Sequence, residues 1–180
     1  VIDFGSQVTQ LIARRLRELS VYSKIYPFQN INQKLLKELS PKAIIFSGGP
    51  RSVLDRNSPK VSKIIYKLGI PILGICYGQQ LLMSQLGGKI NSKEKKSEFG
   101  RAFIEQKRKS KFLDGWFEKD LEEVWMSHGD HVSEMATDFK VLASSKNAPF
   151  AMVADEKRNF YGVQFHPEVH HTPKGKVLFD

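Results

Sequence analysis

The chain has 180 residues, of which 41% are hydrophobic, and this length supports one sizeable core rather than two independent domains. Its net charge of +9 comes from scattered residues, and the runs Lys93 to Lys96 and Lys107 to Lys111 are short, so we expect a solvated or anion-docking surface and no nucleic-acid partner. The single cysteine excludes an internal disulfide, and the absence of a signal peptide or membrane-length apolar run predicts a cytoplasmic protein without a membrane partner.

The first half of the chain alternates short apolar runs with helical patterns, which is typical of a parallel sheet covered on both faces. Val1 to Phe4 is predicted as the first strand, and apolar residues at helical spacing predict an amphipathic helix from Val8 to Leu19. The runs Ala43 to Phe46 and Ile70 to Ile75 predict two central strands. A helix from Tyr77 to Leu86 follows, and two glycines end it.

The second half changes to alternating strand patterns, which predict a mixed or antiparallel extension of the sheet. The predicted strands are Phe99 to Gln106, Val124 to Met126, Val141 to Ser144, Ala151 to Val153 and Phe160 to Gln164. The expected fold class is therefore α/β, with an open, mostly parallel twisted sheet and helices on both faces. Because the chain lacks an initiator methionine and ends in a helix-like pattern from Lys176 to Asp180, we expect residues 1–180 to be one domain excised from a longer chain.

Gly74, Cys76 and Gly78 form a G-x-C-x-G pattern where the second central strand becomes a helix. Flanking glycines permit the sharp, strained turn of a nucleophile elbow. Such a turn presents the sulfur at a helix N-terminus, where the dipole and free amides favour the thiolate. A lone cysteine is more often a small buried apolar residue, but the glycines and the following helix favour a nucleophile here.

A thiol nucleophile needs a base, and His166 lies at the end of a predicted strand. Pro167 restricts the backbone to extended geometry, so that Glu168 can lie on the same side as the imidazole and hold its tautomer. A His-x-Glu pair alone is a weak signal, but with the elbow it completes a nucleophile, base and orienter. Although His170 and His171 lie nearby, no metal site is expected, because zinc sites bring several converging ligands.

Acyl transfer also needs donors for the oxyanion. The loop from Ser47 to Arg51 follows the strand expected beside Cys76, and its backbone amides, with Gly49 as the main candidate, could act together with that of Tyr77. Gly-Gly-Pro alone is no more than a turn. The neighbouring Cys76 strand favours the functional interpretation.

Three motifs together resemble the class I glutamine amidotransferases: the Gly-Ile-Cys-Tyr-Gly-Gln elbow, the Ser-Gly-Gly-Pro loop and the Gln-Phe-His-Pro-Glu segment. Further segments resemble the amidotransferase domains of the GMP synthetases, namely Asp3 to Gln7, Thr9 to Arg15, Trp125 to Asp130 and His171 to Gly175. The resemblance implies a flavodoxin-like fold with a Cys76, His166 and Glu168 triad. In it Cys76 attacks the side-chain amide of L-glutamine, His166 protonates the departing ammonia, and water releases glutamate from a thioester.

The resemblance also implies the groups that hold the rest of glutamine. The candidate binding residues are Gly48, Gln80, Ser127, Gly129 and Asp130. No cofactor is expected within this domain. ATP and Mg²⁺ would act in an ATP-pyrophosphatase domain, on the same chain or a separate subunit, which adenylates XMP and captures the ammonia to give GMP.

The resemblance further allows a homodimer formed through that second domain. The charged segment from Lys93 to Arg101, predicted to be a loop, would either dock on the second domain or be a mobile solvated loop. Deleting its charges distinguishes these interpretations.

Two other functions stay open. The chain could be a stand-alone amidotransferase subunit for another acceptor, such as chorismate or carbamoyl phosphate, although Asp3 to Gln7 and Ser127 to Asp130 argue against it. It could also be a catalytically silent regulatory module, against which the presence of all three triad residues argues.

Overall fold

The computed structural model describes residues 1–92 and 97–180. Its strands are β1 (Ile2–Asp3), β2 (Tyr26–Pro27), β3 (Ile44–Phe46), β4 (Ile72–Ile75), β5 (Lys89–Asn91), β6 (Glu98–Gln106), β7 (Leu121–His128), β8 (His131–Glu134), β9 (Lys140–Ser144), β10 (Met152–Asp155) and β11 (Phe160–Val163). The α-helices in these ranges are α1 (Thr9–Glu18), α2 (Gln33–Leu39) and α3 (Tyr77–Gln85). Short 3-10 turns include Phe28–Asn30, Lys63–Lys67, Lys111–Leu113 and Gly175–Phe179.

A nine-stranded sheet in the order β2-β1-β3-β4-β11-β10-β9-β6-β7 forms the centre of the fold. The five strands from β2 to β11 pair in parallel. From β11 to β7 every pairing is antiparallel. The predicted α/β class, with a parallel half and an antiparallel extension, is confirmed.

Helices cover both faces of the parallel half, as its apolar strands require. In strand β4, Leu73 and Ile75 belong to one core cluster while Ile72 belongs to the other. The strand therefore buries apolar side chains on both faces of the sheet. Helix α1 contributes Ile12 and Leu16 to the first cluster, whereas α2 and α3 pack into the second. Within the described ranges, the helices are too short or too polar to cross a membrane.

The sequence pattern missed β2, α2, β5 and β8. Helix α2 begins after Asn32, whose Oδ1 accepts the backbone N–H of Leu35 at 3.0 Å, and ends at Ser40 with φ of 43°. It buries only Leu36, so its apolar pattern is faint. The other three elements contain two to four residues, which is too few to show a period.

The predicted loop from Lys93 to Arg101 is wrong in its second part. Residues 98–101 belong to β6, which pairs with β7 along its length. The strand predicted from Phe99 to Gln106 overlaps this loop prediction, and the structure supports the strand. Residues 93–96 lie outside the described ranges.

Helix α3 approaches the sheet very closely where it begins. A Cβ at Gly78 would lie 2.4 Å from the backbone oxygen of Phe46, and a Cβ at Gly74 would lie 2.6 Å from the carbonyl carbon of Gly78. Both distances are far below van der Waals contact, and the obstructing atoms are backbone. The glycines of the G-x-C-x-G pattern therefore allow the start of α3 to lie directly on β3 and β4.

Replacing Gly78 with alanine should destabilise the protein by about 2 kcal/mol or more, because the added methyl forces α3 away from β3. Urea unfolding measures the change. Gly129→Ala is the control, since a Cβ there meets only Ser97 Oγ, at 4.0 Å, and its stability should stay within about 0.5 kcal/mol of the parent. Equal stability of Gly78→Ala and the parent would contradict the described packing.

Candidate active site

Three segments converge at one edge of the sheet, because β3, β4 and β11 are parallel neighbours and their carboxyl ends lie together. Cys76 follows β4. The glycine loop from Ser47 follows β3, and His166 comes shortly after β11. Ser47 and His166, which are 119 positions apart in the sequence, thus lie at one site.

Cys76 occupies a strained turn. Its φ of 52° and ψ of −107° are unusual for a residue with a side chain, and such geometry costs about 1–3 kcal/mol. Its N–H donates to the oxygen of Val163 at 2.8 Å, and its own carbonyl accepts the N–H of Gln80 at 3.1 Å. The side chain, 6% exposed, is thereby held at the N-terminus of α3.

His166 lies between Cys76 and Glu168. Its Nδ1 is 2.8 Å from Oε1 of Glu168, which is fully buried. Burial lowers the pKa of His166, but hydrogen bonds to Cys76 and Glu168 outweigh burial and raise this pKa well above the ordinary 6.5. The site therefore favours a protonated imidazole beside the sulfur.

The backbone around His166 is fixed by residues to which the sequence analysis gave no such role. The Thr172 hydroxyl donates to the oxygen of His166 at 2.7 Å and accepts the N–H of Trp125 at 3.0 Å. The N–H of His166 donates to the oxygen of Trp125 at 3.0 Å. Arg15 donates from Nε to the backbone oxygen of Glu168 at 3.1 Å. Thr172 is a buried hydroxyl in a polar stretch, so its local sequence gave no signal of this contact.

The glycine loop packs against the same groups. A Cβ at Gly48 would lie 3.1 Å from Cε1 of His166 and 3.8 Å from Cβ of Cys76. A Cβ at Gly49 would lie 3.4 Å from Cγ of Tyr77. The structure thus packs Gly49 against Tyr77, the residue that follows Cys76.

The segment predicted to bind the rest of glutamine borders the cysteine. The backbone oxygen of Ser127 is 3.6 Å from Sγ of Cys76, and Gly129 is exposed. The carboxylate of Asp130 accepts a hydrogen bond from Ser52, which the sequence analysis did not single out.

Gln80 is buried, with 3% exposure. Its Nε2 donates to the backbone oxygen of Asp130 at 2.8 Å. The predicted binding residues are therefore close together, but in this structure Gln80 makes its contacts within the protein.

His170 and His171 make a tilted ring contact with each other rather than forming a ligand set. The rings of His170 and His171 have centroids 3.7 Å apart, and His171 lies 4.3 Å from the ring of Trp125. Across residues 1–92 and 97–180 no group of three or more His, Cys, Asp or Glu side chains could hold a metal ion. A thiol, an ion-paired imidazole and a glycine loop are instead suited to nucleophilic acyl transfer.

Comparison with protein families matches residues 1–180 to the glutamine amidotransferase class-I family. The chain is 59% identical over 181 residues to the GMP synthase (glutamine-hydrolyzing) of Ruegeria sp. (strain TM1040), covering 100% of this chain and 35% of that protein. It is 54% identical to the protein of the same name from Rhizobium etli, covering 99% of this chain and 34% of that one. The chain thus spans about a third of the length of these relatives.

Solved structures show the same fold. A putative GMP synthase subunit from Thermoplasma acidophilum superposes with a TM-score of 0.82 at 30% identity, covering 99% of this chain and 87% of that one. A glutamine amidotransferase from Thermotoga maritima gives 0.75 at 22% identity, covering 93% and 74%, and this likeness concerns the fold alone. The match over the whole chain establishes that it belongs to the class I glutamine amidotransferase family.

Proposed function

We propose that this chain hydrolyses L-glutamine to glutamate and ammonia, with Cys76 as nucleophile, His166 as base and acid, and Glu168 as the orienting carboxylate. The observation that carries this proposal is the position of His166, whose Nδ1 lies 2.8 Å from a fully buried carboxylate and whose pKa is raised by Cys76 as well as by Glu168. An ordinary buried cysteine does not need such a neighbour. Family membership supports glutamine as the substrate.

In the proposed reaction the Cys76 thiolate forms a bond to the amide carbon of glutamine, and the carbonyl oxygen becomes an oxyanion. Backbone amides of Gly49 and Tyr77 stabilise that charge. As the oxyanion collapses, the C–N bond breaks and His166 gives its proton to the departing ammonia. The product of this half-reaction is a thioester on Cys76.

Water completes the cycle. Neutral His166 takes a proton from a water molecule, which attacks the thioester carbon. The C–S bond breaks, its electron pair returns to the sulfur, and glutamate leaves. The thiolate and the protonated imidazole are restored together, so the enzyme returns to its starting charge state.

The remaining polar groups would hold the α-amino and α-carboxylate groups of glutamine. Asp130 carries the charge that suits an ammonium, and Gly48 and Ser127 offer backbone groups beside Cys76. Gly129 directly precedes Asp130 in the chain and would contribute its backbone there. Gln80 would hold Asp130 in place through its hydrogen bond to the backbone oxygen of that residue. These roles complete the proposed glutamine site.

We propose further that residues 1–180 are the glutaminase domain of a longer assembly, which uses the ammonia to convert XMP to GMP. The names and lengths of the relatives support this, because about two thirds of each lies outside the match. ATP and Mg²⁺ would act in that ATP-pyrophosphatase part. The lengths of the relatives support a joined arrangement, whereas the subunit named in Thermoplasma acidophilum supports a two-chain one.

Incubation with the glutamine analogue 6-diazo-5-oxo-L-norleucine should attach the analogue to Cys76, because the thiolate attacks the electrophile that glutamine binding places beside it. Peptide mass spectrometry locates the adduct. L-glutamine should slow the labelling and D-glutamine should not, while Cys76→Ala should abolish labelling and reduce hydrolysis by about a thousandfold or more.

The outcome that contradicts the glutaminase proposal is the absence of specific Cys76 labelling both in the chain alone and with an ATP-pyrophosphatase partner, XMP, ATP and Mg²⁺. Labelling that requires the partner supports the proposal and shows a gated glutamine site.

Replacing Glu168 with glutamine should lower glutamine hydrolysis by about a hundredfold or more, because the imidazole loses its orienting carboxylate. The variant should also move the alkaline limb of the kcat/KM profile to lower pH. Glu168 raises the pKa of His166. Without this carboxylate the pKa falls, so the imidazole loses its proton at a lower pH.

Glu122→Gln is the matched control, since that partly buried carboxylate pairs with Lys174 Nζ at 2.8 Å rather than with His166. Its profile should follow the parent. An unchanged alkaline limb in Glu168→Gln would refute the assigned role of this carboxylate.

A further inference from the structure

Gln164 contacts the reacting sulfur, although the mechanism above gives it no role. Its Nε2 lies 3.7 Å from Sγ of Cys76, and the residue is 1% exposed. The two residues are 88 positions apart in the chain. They meet because β11 and β4 are parallel neighbours.

The orientation of the Gln164 amide follows from its neighbours. The backbone oxygen of Asp130 can only accept a hydrogen bond, so the atom of Gln80 that lies 2.8 Å from it must be the amide nitrogen. The same nitrogen lies 3.3 Å from the Gln164 side chain, which must present its oxygen there. The NH₂ group of Gln164 therefore faces Cys76.

A buried amide N–H needs an acceptor, and sulfur is a good one only when it is charged. A thiol is a weak acceptor, whereas a thiolate carries a full charge. On another side the sulfur faces the carbonyl oxygen of Ser127 at 3.6 Å, which accepts from the thiol but repels the thiolate. An N–H donor from Gln164 offsets that repulsion.

We propose that Gln164 is a further catalytic residue, whose amide N–H donates to the Cys76 thiolate, and that Gln80 holds the amide in this orientation. Gln164 favours the thiolate before attack. It acts again during deacylation, when the C–S bond breaks and the electron pair returns to the sulfur. The inference deepens the proposed function and rests on it for the role of Cys76 as nucleophile.

The test is the rate of Cys76 alkylation by iodoacetamide from pH 5 to pH 10, which needs no glutamine. Gln164→Met keeps the length of the side chain but removes the donor, and should slow alkylation about tenfold at pH 7. The difference should shrink as the pH rises, because alkali supplies the thiolate in parent and variant alike. The titratable groups beside the sulfur, His166 and through it Glu168, are retained.

Gln80→Met should give a deficit of the same kind, because the freed Gln164 amide can turn its oxygen toward the sulfur. The double variant should be no slower than Gln164→Met alone, since both changes act through one hydrogen bond. Gln79→Met is the matched control: it removes a fully buried amide that donates to Phe150 O at 2.8 Å and does not reach Cys76. Its alkylation should match the parent within about twofold.

Thermal unfolding identifies any variant that fails to fold, and Gln80→Met then tests the inference alone. A parent-like rate at pH 7 in a folded Gln164→Met or Gln80→Met protein would overturn the inference, and so would a deficit that is equal at every pH. If the parent alkylates with the expected pH dependence but never hydrolyses glutamine, the glutaminase proposal fails while the contact with the thiolate stands.

Discussion

The parallel pairing of β4 with β3 on one side and β11 on the other is the constraint on which the site depends. Parallel neighbours end at the same edge, so the glycine loop, Cys76 and the histidine segment meet without a long connection. The pairing needs strands that are buried on both faces, which the two core clusters provide. The strand order thus determines where the reactive residues lie.

Two features of the site have an unfavourable free energy, and specific contacts offset each of them. The positive φ of Cys76 persists because the turn is tied to Val163 and to the first turn of α3, while glycines remove the obstructing methyl groups. The buried carboxylate of Glu168 is tolerated because His166 faces it at 2.8 Å. The imidazole, whose pKa is raised by both neighbours, thus lies between the carboxylate and the sulfur.

The sequence predicted the features that local patterns encode: the strand before the elbow, α3, the mixed sheet and the proximity of His166 and Glu168 to Cys76. It missed α2, which buries one leucine, and β2, which has two residues. It could not reveal the hydrogen bond between Thr172 and Trp125 or the amide of Gln164 at the sulfur, because these contacts join residues 47 and 88 positions apart. Such contacts depend on tertiary packing, which leaves no local period.

Trp125 and Ser127 lie two residues apart on β7, the outermost strand of the sheet. The first is hydrogen-bonded to the histidine backbone, and the oxygen of the second lies against the cysteine sulfur. The position of the histidine backbone and that of the carbonyl oxygen beside the sulfur therefore both depend on this one edge strand.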